Sequence, residues 1–187
     1  MLVHGQDRWW CVMPGGTKQR ESMKQTLQVL NQLEADGVLG RYAIGGAMGA
    51  TFFVEPLLTF DLDIFVLLPE TASGLLTLEP LYSVLRQRGY VEEAECVSIE
   101  GVPVQFLPAY NALLEEALRE AIDVPYEEVT TRVLRAEHLL AICLQTGRSK
   151  DRDRVRLLRE EAELDDAYLQ AVLERHQLVD KWNQWTS

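Results

Sequence analysis

Asp61 and Asp63 stand two residues apart at the head of Ile64-Phe-Val-Leu-Leu68, a run whose β-branched and aromatic residues mark a strand. Side chains two apart on a strand share one face, roughly 7 Å apart along the chain. Two carboxylates so close on an apolar element repel each other and resist burial. A hard divalent cation removes that conflict, and Mg²⁺ is commonly held by one or two carboxylates together with substrate phosphates. The pair therefore reads as a metal platform, with Asp61 and Asp63 as its ligands. The bland alternative is a D-x-D that merely caps a strand or turn.

The preceding residues supply a second half. Tyr42-Ala-Ile44 reads as a short strand, and Gly45-Gly46 opens a helix expected from Ala47 to about Val54. Glycine lets a backbone approach a ligand closely, and the N–H groups at a helix start attract anions. Phosphate beside metal satisfies both halves. A degraded dinucleotide fingerprint over Gly45-Gly46-x-x-Gly49 is the competing reading. It fails because Ile44 occupies the first glycine position and the acids begin the next strand instead of closing it.

Gly45-Gly46, fourteen intervening residues and Asp61-Leu-Asp63 together resemble the signature of the nucleotidyltransferase superfamily, the DNA polymerase β-like fold. More narrowly, Gly45-Gly46-Ala47, Glu55-Pro56, Thr59 and Asp61-Leu-Asp63 resemble minimal nucleotidyltransferases related to AbiEii-type toxins. A second block, Gly147-Arg-Ser-Lys150-Asp151-Arg, is similar to the downstream Lys-Asp motif of those proteins, and the resemblance spans Tyr42 to Leu158. It implies a mixed β-sheet flanked by helices, in the α/β (α+β) class, with a C-terminal helical extension. It implies Mg²⁺ as cofactor, Asp61, Asp63 and Lys150 as catalytic residues, and Gly45, Gly46, Thr59, Gln105 and Asp151 around the substrate. Lys150 would meet nucleotide phosphates, with Asp151 orienting it.

Three departures matter. Leu57 stands where the family often has Arg, Arg154 where relatives commonly place another Asp, and Gln105 where a third carboxylate is expected on a later strand. Glutamine can orient a nucleophile but cannot act as a base. Nucleotide binding is thus expected and turnover is the open question.

The bulk properties narrow the setting. At 187 residues the chain can bury a sizeable core as one domain with a helical appendage. A net charge of −11 argues against a broad, sequence-independent grip on nucleic acid, though not against a local contact with a tRNA end. Cys11, Cys96 and Cys143 are too far apart for a C-x-x-C site, and His4, His138 and His176 are isolated, so neither zinc nor a disulfide framework is indicated. No apolar run approaches the ~20 residues a membrane span needs. No signal-peptide pattern is visible, so a cytoplasmic protein is expected.

Along the chain, residues 1–16 read as a mobile tail, 17–160 as the nucleotidyltransferase-like domain and 161–187 as a helical extension packed on it. Apolar spacing predicts a helix from Thr17 to Asp36, closed by Gly37, and another ending near Arg88 with Pro80 in its first turn. Tyr90–Ile99 and Val102–Leu107, around Glu100-Gly101, predict a hairpin. Alternation places Pro103 and Gln105 on one face, without fixing which face meets the aspartates. Helices are expected over Ala109–Ile122 and Arg135–Thr146, with a short strand within Val124–Arg132 and His138 on a helix surface. The basic run from Arg148 to Arg159 reads as a solvated helix face. A last amphipathic helix runs from Asp165 to Trp185. It either closes the domain or offers Trp182 and Trp185 to a second copy or an antitoxin-like partner.

Three functions fit. The first is an enzyme that moves a nucleotidyl group from a Mg²⁺-bound nucleoside triphosphate to a hydroxyl on a tRNA end, a protein or a small molecule, in a toxin–antitoxin setting. The second is the same fold with turnover lost, acting as a nucleotide-binding or interaction module. The third is an acidic protein that neutralises a basic partner.

Overall fold

A computed structural model describes residues 16–54, 61–67 and 77–187. The expected mobile tail falls almost wholly outside the described residues, as do Thr59, Glu55, Pro56 and Leu57.

The chain alternates helix and strand in the way α1 (Gly16–Ala35), β1 (Tyr42–Ile44), α2 (Gly46–Ala50), β2 (Leu62–Val66), α3 (Glu79–Gln87), β3 (Val91–Glu93), β4 (Cys96–Ile99) and β5 (Val102–Pro108) follow one another. It continues with α4 (Ala112–Arg119), β6 (Ile122–Tyr126), β7 (Val129–Val133), α5 (Ala136–Thr146), α6 (Ser149–Glu161), α7 (Asp166–Arg175) and α8 (Val179–Thr186). The strands form one seven-stranded mixed sheet in the order β3-β4-β5-β2-β1-β7-β6. β2 lies in the middle, antiparallel to β1 and parallel to β5.

Alternation along β2 divides the core. Leu62, Ile64 and Val66 join Tyr42, Ile44, Val104 and Phe106 beneath α1 and α3, while Phe65 and Ala43 join the opposite layer under α4, α5, α6 and α7. Asp61 and Asp63 share the Phe65 face, so they sit where the second layer ends. Tyr42, the largest fully buried side chain, keeps its hydroxyl satisfied by donating to Asn31 Oδ1 at 2.6 Å, with Thr131 Oγ1 at 3.3 Å. A buried hydroxyl without partners would cost 1–3 kcal/mol, by the order of magnitude known for such groups.

Four expectations are corrected. The strand within Val124–Arg132 is a hairpin, β6 and β7, turned at Glu127 with φ +51°. Tyr90–Ile99 is likewise two strands, turned at Ala94 with φ +55°. The helix over Ala109–Ile122 is only α4, capped by Asn111, whose Oδ1 accepts from the Leu114 N–H at 2.9 Å; Ile122 opens β6. The C-terminal helix is two helices, broken at Gln177 with φ +57°, and Asp165 caps the first through Tyr168 N–H. Leu169, Val172, Leu173 and Leu178 bury these helices on the α5 layer, with Trp182 and Trp185 packed half-buried beside them.

His138 also differs from expectation: it is fully buried instead of lying on a helix surface. Its Nε2 lies 3.3 Å from Glu116 Oε1, and the same carboxylate takes His176 Nε2 at 2.9 Å and the Arg175 guanidinium. One buried acid thereby ties α4 to α5 and α7. Burial pushes the His138 imidazole below its ordinary value despite the Glu116 charge, so the ring is neutral and donates through Nε2. For Glu116, burial works upward, but hydrogen bonds from Arg175, His176 and His138 prevail and bring the carboxyl down to about 2.

Candidate active site

β2 ends the glycine turn's freedom. Gly45 N–H donates to the Asp63 carbonyl at 2.9 Å, and Gly46 holds φ +59°. A methyl on Gly46 would overlap the Asp63 carboxylate, with Cγ 2.6 Å and Cβ 2.9 Å away. One on Gly45 would meet Phe65 Cδ2 at 2.5 Å and Leu134 Cδ1 at 3.1 Å. The glycine pair therefore makes room for β2: Gly45 accommodates the Phe65 ring and Gly46 the Asp63 carboxylate. The helix behind it, α2, has five residues and not the eight expected, so its end contributes little field.

The parallel register of β2 and β5 sets Asp63 beside Gln105. This settles which face of β5 meets the acids: the face of Pro103 and Gln105. Gln105 Nε2 donates to Glu95 Oε2, 3.0 Å away on the β3–β4 turn. Continuing the Val97–Val104 pairing places Cys96 next to Gln105. Burial, followed by the charges of Asp61, Asp63 and Glu95, raises the Cys96 thiol above its ordinary value. Three carboxylates therefore act on one point of this surface.

The other wall is basic. α6 packs against α5 and α2. Its N-terminal turn is fixed by Asp151, which is fully buried and accepts from Arg148 Nε at 2.9 Å, Thr146 Oγ1 at 2.7 Å and the Arg148 N–H at 3.2 Å. Burial opposes this carboxylate's charge, and the bonds from Arg148 and Thr146 overcome it, holding the group below its ordinary value. Arg154 Nη1 lies 3.6 Å from Asp151 Oδ1 and 3.9 Å from Cys143 Sγ, while its Nε is buried without a hydrogen-bond partner among the described residues. Burial raises the Asp63 carboxyl; Arg154 opposes that rise most among the nearby charges, Asp61 adds to it, and Lys150 and Arg148 lower it.

The sequence-predicted residues thus fall into groups. Asp61, exposed, and Asp63, half-buried, share one face, with Gly46 beneath Asp63 and Gln105 beside it. Lys150, exposed at the start of α6, belongs to the basic wall. Asp151 lies inside that wall, where its bonds run to Arg148 and Thr146 and organise the helix start. Arg148 and Arg154 belong to the Lys-Asp block, but only the tertiary fold brings them, and Glu95, toward the aspartates. Among the described residues no group of three or more His, Cys, Asp or Glu side chains is placed to hold a metal ion. Two carboxylates supplemented by substrate phosphate and water is nonetheless an ordinary Mg²⁺ arrangement, and Asp61 with Asp63 fits it.

Among solved structures, the chain is similar to an antigenic nucleotidyltransferase-like protein from Paracoccidioides brasiliensis. The identity is 12%, the TM-score is 0.51, and 87% of this chain and 93% of that one are covered. The chain has a nucleotidyltransferase-like fold. It is also similar to ANT(2")-Ia in complex with adenylyl-2"-tobramycin, at 16% identity and a TM-score of 0.51 over 89% of this chain and 99% of that one. No family model and no curated protein sequence matches the chain. Among the described residues no helix is long and apolar enough to cross a membrane.

Proposed function

We propose that the protein binds a nucleoside triphosphate with Mg²⁺ and transfers the nucleotidyl group to a hydroxyl acceptor, which is a tRNA end, a protein or a small molecule. The observation that carries this reading is that Asp61 and Asp63 stand at the start of the central strand β2, between the basic start of α6 and the Gln105 face of β5. Mg²⁺, held by Asp61 and Asp63, would neutralise the triphosphate and stabilise charge developing at the α-phosphate. Lys150 would meet the outgoing phosphates, with Arg148 and Arg154 adding positive charge on that side, as their effect on Asp63 supports. Gly46, having no side chain, leaves the Asp63 carboxylate the space it occupies.

The relation to AbiEii-type toxins, and with it an antitoxin-like partner, remains part of this proposal and rests on the Gly-Gly, D-x-D and Lys-Asp motifs. A second reading is supported by one observation: Gln105 occupies the position beside Asp63 where a third acid is expected. In that reading the protein binds nucleotide without turning it over.

Filter binding of α-labelled ATP, GTP, CTP and UTP separates these possibilities from a chain that binds none. Binding of at least one should require Mg²⁺, vanish in EDTA and weaken at least about tenfold in Asp63→Ala, as expected when a ligand loses one of its charged anchors. Equal binding by Asp63→Ala contradicts the proposal. Binding without pyrophosphate release favours the second reading.

A further inference from the structure

On the β5 side of the aspartate pair lies an acid to which no motif gives a role. β3 and β4 are joined through Ala94-Glu95, with Ala94 in the left-handed region. Gln105 Nε2 reaches Glu95 Oε2 at 3.0 Å, and Gln105 is itself the register partner of Asp63. Glu95 is therefore one side chain removed from the aspartate pair, on the wall opposite α6. Asp151 is committed to Arg148 and Thr146, and Glu92 to Arg86 Nη1 at 2.6 Å.

We propose that Glu95, carried by the β3–β4 turn and held by Gln105, is the general base that deprotonates the acceptor hydroxyl. The proposal rests on the nucleotidyl-transfer reading above. An amide cannot accept the proton at position 105, but it can fix a carboxylate that does. Gln105 binds one Glu95 oxygen and leaves the other for the acceptor. The hydroxyl oxygen forms a bond to the α-phosphorus while its proton passes to Glu95. The bond from that phosphorus to the oxygen bridging toward the β-phosphorus breaks, and its electron pair leaves with pyrophosphate. Because Glu95 is exposed, it can pass the proton to solvent before the next cycle. The site then has two poles: cations of α6 on the leaving-group side and a base on the acceptor side.

The test uses the full chain, α-labelled ATP, GTP, CTP and UTP, and water standing in for the acceptor, with release of nucleoside monophosphate and pyrophosphate followed against pH. Glu95→Gln should bind Mg²⁺-nucleotide within about twofold of the wild type and turn it over roughly 100-fold more slowly, the scale of a lost general base. Any acid-side fall in the wild-type rate should be absent from this variant. Adding Gln105→Glu to Glu95→Gln should restore most of the rate by placing a carboxylate beside Asp63 directly; a purely structural role for Glu95 would give no such rescue. Wild-type turnover in Glu95→Gln, failure of the rescue, or wild-type binding with no pyrophosphate release from any of the four nucleotides overturns the proposal. Nucleotide binding that is indifferent to Asp63→Ala overturns the underlying functional reading instead.

Discussion

Replacing Gly46 with alanine tests whether the glycine turn exists to seat Asp63. The methyl would lie 2.6 Å from Asp63 Cγ and 2.9 Å from its Cβ, so rotating the carboxylate alone cannot relieve the overlap. Position 46 also holds φ +59°, a conformation that costs a residue with a Cβ about 1–2 kcal/mol. Overpacking a filled site adds about 1–3 kcal/mol. The variant should therefore lose roughly 2–5 kcal/mol, which for a chain of this size lowers Tm by about 4–20 °C. Asp63 must move, so Mg²⁺-dependent nucleotide binding should fall with it. Asp63→Ala removes the carboxylate that the methyl strikes, so Gly46→Ala should be less destabilising in that background. A double-mutant cycle followed by thermal and urea unfolding should give a coupling of about 1–2 kcal/mol between the two positions. Additive losses would refute the reasoning, because they would mean that Gly46 and Asp63 do not share the space.

Lys150→Ala and Arg154→Gln should each weaken nucleotide binding, with the loss shrinking as salt rises because the contacts are charge-based; titrations at low and high salt check this. Acid stability should report on Glu116, whose carboxyl lies at about 2 against 4.5 when unperturbed. A depressed carboxylate contributes stability above its unfolded value that is lost as pH falls from 4.5 toward 2, amounting to roughly 3 kcal/mol. His138, depressed by burial, adds a loss below 6.5 in the same direction. Glu116→Gln should consequently be less stable at neutral pH and lose less on acidification, as measured by unfolding at a series of pH values. Cys96 is a built-in reporter: in a Cys11→Ser background, with Cys143 buried, its labelling by a maleimide should slow when Mg²⁺ and nucleotide are present.

Where a local signal existed, the sequence revealed it. Asp61 and Asp63 on an apolar strand, Pro80 opening α3, Gly147 closing α5 and Asp165 capping α7 all carry their structural reason in their own chemistry. Three of the four missed breaks share one cause. Ala94, Glu127 and Gln177 turn the chain in the left-handed region without being glycine, so composition gave no punctuation there. Glu100 does the same, but the neighbouring Gly101 exposed that turn. His138 was misplaced because its partner, Glu116, lies on a different helix. The sequence singles out Gly45 and Gly46, yet their neighbours are Phe65 and Asp63, which only the β1–β2 pairing could disclose. Glu95, and the approach of Arg154 to Asp63, were illegible for the same reason: each reaches the site from an element whose docking no local pattern encodes.

The most direct measurement is diffraction from crystals soaked with Mn²⁺ and a nucleoside triphosphate analogue that cannot be cleaved at the α-phosphate. The account predicts an anomalous peak joined to both Asp61 and Asp63 carboxylates, with the triphosphate running from it toward Lys150. A nucleotide bound elsewhere, or metal absent from that pair while the nucleotide is present, would contradict it.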